Sequence, residues 1–199
     1  EPGPRTTIAA LDIEVFGMLQ DSANAREAAA AQTLAQWRQR FGLQPGQPFR
    51  QAAWSEAKNT AIANLRAQGY AAAQWRSTSA QIDAPANQAK LSLQVDSGPL
   101  FLVGKIDVQG LERHDDNAIR HLAGFGPGTP VTEKLLLDYQ ERLQKVGLFD
   151  RASVELEGDP EQAPAATVTV RVHEEPLQQA TIGLGYSANT GQRASFEHT

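Results

Sequence analysis

The side chains best suited to hold a metal or move a proton are four histidines, His114, His121, His173 and His198, none at the i, i+4 spacing that sets two imidazoles on one helical face. The chain has no cysteine, which removes thiolate ligands, disulfides and a cysteine nucleophile. Glu174 and Glu175 form an acidic pair. Neighbouring strand residues point to opposite faces, so the two cannot share one substrate atom, and a solvated junction is their expected role. "GFGPGTP" at 124–130 has the glycines of a phosphate loop but lacks the closing Gly-Lys-Ser/Thr and follows no strand. No catalytic set, metal site or cofactor is expected, and the chain reads as something other than an enzyme.

The elements around these residues occur twice. "LQPGQPFRQAAWSEAKNTAIANLRAQGYAAAQWR" and "FGPGTPVTEKLLLDYQERLQKVGLFDRASVE" share one frame: Pro-Gly-x-Pro, helix, glycine, aromatic, strand. Pro45 answers to Pro127, Gly69 to Gly147 and Val95 to Val172, offsets of 82, 78 and 77 residues. The glycine-rich segment is therefore a repeated structural turn. Each unit reads as strand, helix, helix, strand, strand.

In the first unit Leu11, Ile13 and Val15 lie on a strand, followed by a long alanine-rich helix from about Ala23 to Arg40. Its sparse, mixed charges (Arg26, Glu27, Arg38, Arg40) favour packing against the sheet over a membrane surface. Trp54, Ala57, Ala61 and Leu65 then share a helical face ended by Gly69, and Leu91, Leu93 and Val95 alternate on the last strand. In the second unit Val103, Ile106 and Val108 open, Asp115 or Asp116 caps a short helix, and Pro130 suits the first turn of the next. Leu136, Tyr139, Leu143 and Val146 give that helix one apolar face closed by Gly147. Ala152, Val154 and Leu156 alternate, as do Val168, Val170 and Val172, in a hairpin. Gly98-Pro99 joins the units with little slack.

The 199 residues carry a net charge of −5, which argues against nucleic acid and anionic membrane surfaces as partners. No apolar run of about 18 residues is long enough for a membrane helix, and the opening residues lack the basic, apolar and cleavage regions of a secretion leader, so any such signal is expected to be already gone.

The βααββ order, "GPLFLVGKIDVQG" and "LQKVGLFDRASVELE" resemble the polypeptide-transport-associated (POTRA) domains of outer-membrane assembly and translocation proteins, over residues 3–176. "GLGYSANTGQR" is similar to the first barrel hairpin of the TamA branch, the barrel subunits of the translocation and assembly module, more than to BamA relatives. The implied architecture is α+β: two tandem βααββ repeats, each a three-stranded sheet with two helices on one face, plus a truncated barrel hairpin. The expected divisions are 1–98, 99–176 and 177–199. "EPGP" at the start looks like the same junction, so the chain is expected to begin where an earlier repeat ended.

A small sheet covered on one face leaves edge strands whose main chain can accept a further strand. The resemblance implies that the second strand of each unit does this, about residues 73–82 and 151–157. The candidate peptide-binding residues are Gln74, Trp75, Arg76, Arg151, Ala152, Ser153, Val154 and Glu155. The competing expectation is a protected edge, with Arg76, Arg151 and Glu155 discouraging pairing. Proline at Ser153 is the test that separates the two.

The implied function is a periplasmic, non-enzymatic module of an outer-membrane protein. It receives unfolded β-rich or autotransporter-type polypeptides and passes them to its barrel, with a TamB-like partner in the inner membrane and no nucleic acid. Two alternatives stand beside it: repeats of a two-partner secretion transporter dedicated to one substrate, and a structural docking spacer for the inner-membrane partner.

Overall fold

The computed structural model describes residues 5–174, 180–187 and 191–198. The expectations placed on Glu1–Pro4, Glu175, Pro176 and the turn at Ala188–Thr190 lie outside them.

The first sheet is built from β1 (Thr7–Phe16), β2 (Gln74–Asp83) and β3 (Gln88–Asp96). The strand order is β1-β3-β2, with β1 parallel and β2 antiparallel to the central β3. Alternation puts Ala89, Leu91, Leu93 and Val95 of β3 into the core. Gly17 ends β1 at φ 86°, where a Cβ would stand 2.5 Å from Asp96 Oδ1. Only glycine allows the chain to turn so close to β3.

Three helices cover this sheet: α1 (Met18–Asn24), α2 (Ala28–Gln39) and α3 (Gln51–Ala67). The single long helix expected over Ala23–Arg40 is therefore wrong. Ala25 closes α1, Arg26 takes φ 63°, and Glu27 is extended. The turn lets Leu19 of α1 and Ala30, Leu34 and Trp37 of α2 each reach the core. One straight rod could not bury both sets. On α3 the spacing of Trp54, Ala57, Ala61 and Leu65 buries all four, and the Trp37 Nε1–H donates to the Ala61 carbonyl at 2.8 Å.

The second sheet comprises β4 (Val103–Gln109), β5 (Phe149–Leu156) and β6 (Ala166–Glu174), in the order β4-β6-β5 with the same mixed directions. A 3₁₀ turn, Pro160–Ala165, joins β5 to β6. The covering helices are α4 (Asp116–His121) and α5 (Glu133–Lys145). Asp115 caps α4, accepting from the Asn117 N–H at 3.0 Å.

Two expectations for α5 are corrected. Pro130 lies before the helix, bridged to Leu102, and Thr132 is the cap, its Oγ1 accepting from the Leu135 N–H at 3.2 Å. Val146 is exposed, because the helix ends at Lys145 and Gly147 turns the chain away at φ 70°. Tyr139 and Leu143 carry the buried face, with Leu136 packed beside them.

Each sheet has its own core, and the cores interlock at the joint. Leu100 packs into the first, whereas Ala71 and Ala72 pack into the second. The Phe101 N–H donates to the Gly69 carbonyl at 2.9 Å. The Leu100 N–H donates to Met18 Sδ at 3.3 Å. Further along, β7 (Ala180–Ser187) and β8 (Gly191–His198) pair antiparallel. No helix among the described residues is long and apolar enough to cross a membrane.

Candidate peptide-docking edges

Main-chain groups of successive strand residues point to opposite sides, so one anchored hydrogen bond fixes the direction of every residue in register. The Ser97 N–H donates to the Phe16 carbonyl and the Thr7 N–H to the Asn87 carbonyl, each at 2.9 Å. Odd-numbered residues of β3 thus face β1, and even-numbered ones face β2. Ser77, Ser79 and Gln81, opposite Gln94, Ser92 and Lys90, lie in the ladder. Thr78, Ala80 and Ile82 aim their N–H and C=O groups outward.

On β5 the Glu157 N–H donates to the Thr167 carbonyl at 3.3 Å. Ser153 and Glu155, opposite Arg171 and Thr169, therefore face β6, and Ala152, Val154 and Leu156 face outward. The outward Val154 N–H meets Gln140 Oε1 of α5 at 3.3 Å.

The candidate residues divide accordingly. Gln74 and Trp75 lie opposite Asp96 and Val95, and the Trp75 ring stands 6.4 Å from that of Trp37. Arg76 occupies the irregularity between Trp75 and Ser77. Its Nη2 is 2.6 Å from Asp96 Oδ2, and its guanidinium lies 4.3 Å from the Phe16 ring centroid. Glu155 pairs with Arg171 across the strands. Arg76 and Glu155 are thus tied within their own sheets, whereas Arg151 is exposed. Ala152 and Val154 present an outward main chain while burying their side chains. Ser153 belongs to the ladder, so proline there would break β5 from β6 and could not separate docking from folding. Leu156 also lines a groove of about 470 Å³ with Ile62, Ala67, Ala71, Val131 and Leu136.

Glu174, expected at a solvated junction, is where the sequence expectation fails. It is buried, not solvated, with its side chain 2% exposed. Oε1 accepts from the N–H groups of Glu112, Arg113 and His114 at 3.1, 3.0 and 3.1 Å, and Oε2 from Arg113 Nε at 2.8 Å. His114 Nδ1 lies 3.0 Å from Oε1. Burial works to raise its pKa. The Arg113 main chain and side chain, His114 and the Glu112 N–H outweigh burial and hold the carboxyl far below the usual carboxylate range. The signal in the sequence was an acid closing a strand together with the polar "LERHD" loop, whose bonded residues lie 60 to 62 positions earlier.

The first sheet closes the same corner with buried Ser97, whose hydroxyl accepts from the Leu19 N–H at 3.1 Å and donates to the Gly98 carbonyl at 2.9 Å. Beside it the Gly98 N–H, opposed by burial and helped by Arg76, draws the Asp96 pKa down.

Elsewhere, His121 Nδ1 is 2.7 Å from the Asn117 carbonyl, and His173 Nδ1 is 2.7 Å from Asp150 Oδ1. Among the described residues no cluster of three or more His, Asp or Glu side chains could hold a metal ion.

Comparison with known proteins rests on this geometry. The family "POTRA: Surface antigen variable number repeat" matches residues 35–98 and 101–175. The chain belongs to the POTRA family. Its two mixed sheets with helices are tandem POTRA repeats.

POTRA3-5 of Haemophilus influenzae BamA superposes with a TM-score of 0.56 at 19% identity, covering 86% of this chain and 63% of that one. BamA from Haemophilus ducreyi lacking POTRA domains 1-3 gives 0.60 at 16% identity, covering 94% and 32%. At these identities the likeness is one of fold. The chain spans less than two thirds of either relative.

Proposed function

We propose that this chain is the periplasmic, non-enzymatic part of an outer-membrane assembly or translocation factor of the TamA branch. In this reading residues 1–98 and 99–176 are two repeats, and 177–199 begin a barrel whose first hairpin includes β7 and β8. Unfolded β-rich or autotransporter-type polypeptides dock by adding a strand to β2 or β5 and pass to the barrel, with a TamB-like protein as the inner-membrane partner. The observation that carries the proposal is the outward main chain of Thr78 and Ala80 on β2. Affinity from main-chain bonds suits clients of many sequences, and the groove beside Leu156 offers room for a client side chain next to β5.

Ala80→Pro and Ser79→Pro test it, because an edge strand tolerates proline where its N–H faces solvent. A fluorescein-labelled twelve-residue peptide of alternating valine and threonine serves as the probe, read by anisotropy. Ala80→Pro is expected to keep the thermal midpoint within about 3 °C and to lose the β2 share of binding, whereas Ser79→Pro unfolds the first sheet. Unchanged peptide affinity in a folded Ala80→Pro protein would refute docking at β2. Capture of an inner-membrane partner with no peptide binding would favour the docking spacer.

A further inference from the structure

The two outward edges are not equivalent. On β5 the central outward donor, the Val154 N–H, is already bonded to Gln140 Oε1 at 3.3 Å. Among the described residues no side chain accepts from the N–H of Thr78, Ala80 or Ile82 on β2. A polar arm of α3 that does reach this edge is Lys58, whose Nζ lies 3.5 Å from Thr78 Oγ1 and 4.9 Å from the Trp54 ring centroid. Lysine has only donors, so it cannot cap an N–H. Counted back from the helix-ending glycines Gly69 and Gly147, the first repeat has Ile62 where the second has Gln140. An isoleucine offers no acceptor.

We infer that Gln140 is a built-in competitor for strand addition at β5: its side-chain carbonyl stands where the carbonyl of an added strand would take the Val154 N–H. This rests on the strand-addition reading and adds a division of labour to it. Docking on β2 forms new bonds at free groups. Docking on β5 must first displace Gln140, so each bond gained at Val154 replaces one lost, and the net gain shrinks by about one hydrogen bond. The second repeat is then the weaker acceptor when both edges meet the same polypeptide, and the first is where a client begins. Because the competing group is a flexible side chain of a neighbouring helix, displacement leaves the β5–β6 ladder intact.

The test uses the whole 199-residue chain and two variants, Gln140→Ala and Gln140→Glu. Alanine removes the acceptor and favours the helix. Glutamate keeps an acceptor and strengthens it by charge. Amide hydrogen exchange read by NMR without peptide should show Val154 exchanging about tenfold faster in Gln140→Ala and slower in Gln140→Glu, with Ser153 and Glu155 unchanged. With the valine–threonine peptide, the footprint on β5 should tighten about fivefold in Gln140→Ala, as expected for one neutral hydrogen bond, and weaken in Gln140→Glu, while β2 binding stays as it was.

Unchanged Val154 exchange in Gln140→Ala overturns the competitor and leaves strand addition standing. Faster exchange without tighter binding at β5, where β2 still binds, also overturns the competitor. If Val154 is released and the peptide binds neither edge, strand addition itself is wrong, and the competitor falls with it.

Discussion

Ser97 and Glu174 stand at the same corner of the two repeats, where the last strand meets the segment leaving the glycine that ends the first. In the first repeat α1 begins directly after Gly17, so few donors need partners, and a hydroxyl serves Leu19 while the Asp96 carboxylate serves Gly98. In the second, the chain after Gly110 curls through a loop before Asp115 caps α4, and three N–H groups converge on one point. A single neutral oxygen could not satisfy them. The fold demands acceptors at this corner, and the segment beyond the glycine, helix or loop, decides how many donors a single side chain must satisfy. One repeat spreads the task over two side chains, and the other concentrates it in one.

Removing the concentrated acceptor should do the most damage. Glu174→Ala leaves three N–H groups and the Arg113 side chain without this carboxylate. Thermal denaturation is expected to show a midpoint lowered by on the order of 10 °C, with amide exchange accelerated in the second core and little altered in the first. Equal acceleration of both cores would erase the contrast.

Acid should produce a smaller, graded effect. The folded-state pKa of Glu174 lies below its ordinary value of 4.5, so its contribution is complete above that value and is lost as pH falls below it. Protection of the Arg113 and His114 amides should therefore decline below about pH 4.5 before the Leu91 and Leu93 amides respond. Glu174→Gln should abolish that pH dependence. The smallest effect belongs to Ser97→Ala, which strips one acceptor from the Leu19 N–H and should cost about 1 kcal/mol in chemical denaturation.

Regular patterns in the sequence read through to the structure. The 3-4-4 spacing of Trp54, Ala57, Ala61 and Leu65 could only be one buried stripe, and alternation over Leu91, Leu93 and Val95 marked a strand with one face in the core. Asp115 and Gly147 were visible because caps and left-handed turns have their own residue chemistry. The break at Arg26 was hidden, since alanines favour helix on both sides of it and only the need to bury Leu19 and Trp37 together bends the chain. Val146 continued a periodicity that does not know where its helix stops. Glu174 depended on a loop distant in sequence. For the edges, the strands themselves were readable, but which groups point outward rests on register, anchored by bonds such as that from Glu157 to Thr167.

Met18 is the chain's sole methionine, and its sulfur accepts the Leu100 N–H where the repeats meet. Isotopic labelling of methionine methyls would therefore light a single resonance, seated at the joint between the repeats without any engineered tag. Its chemical shift and linewidth would register any movement at the contact between Met18 and Leu100 in one peak.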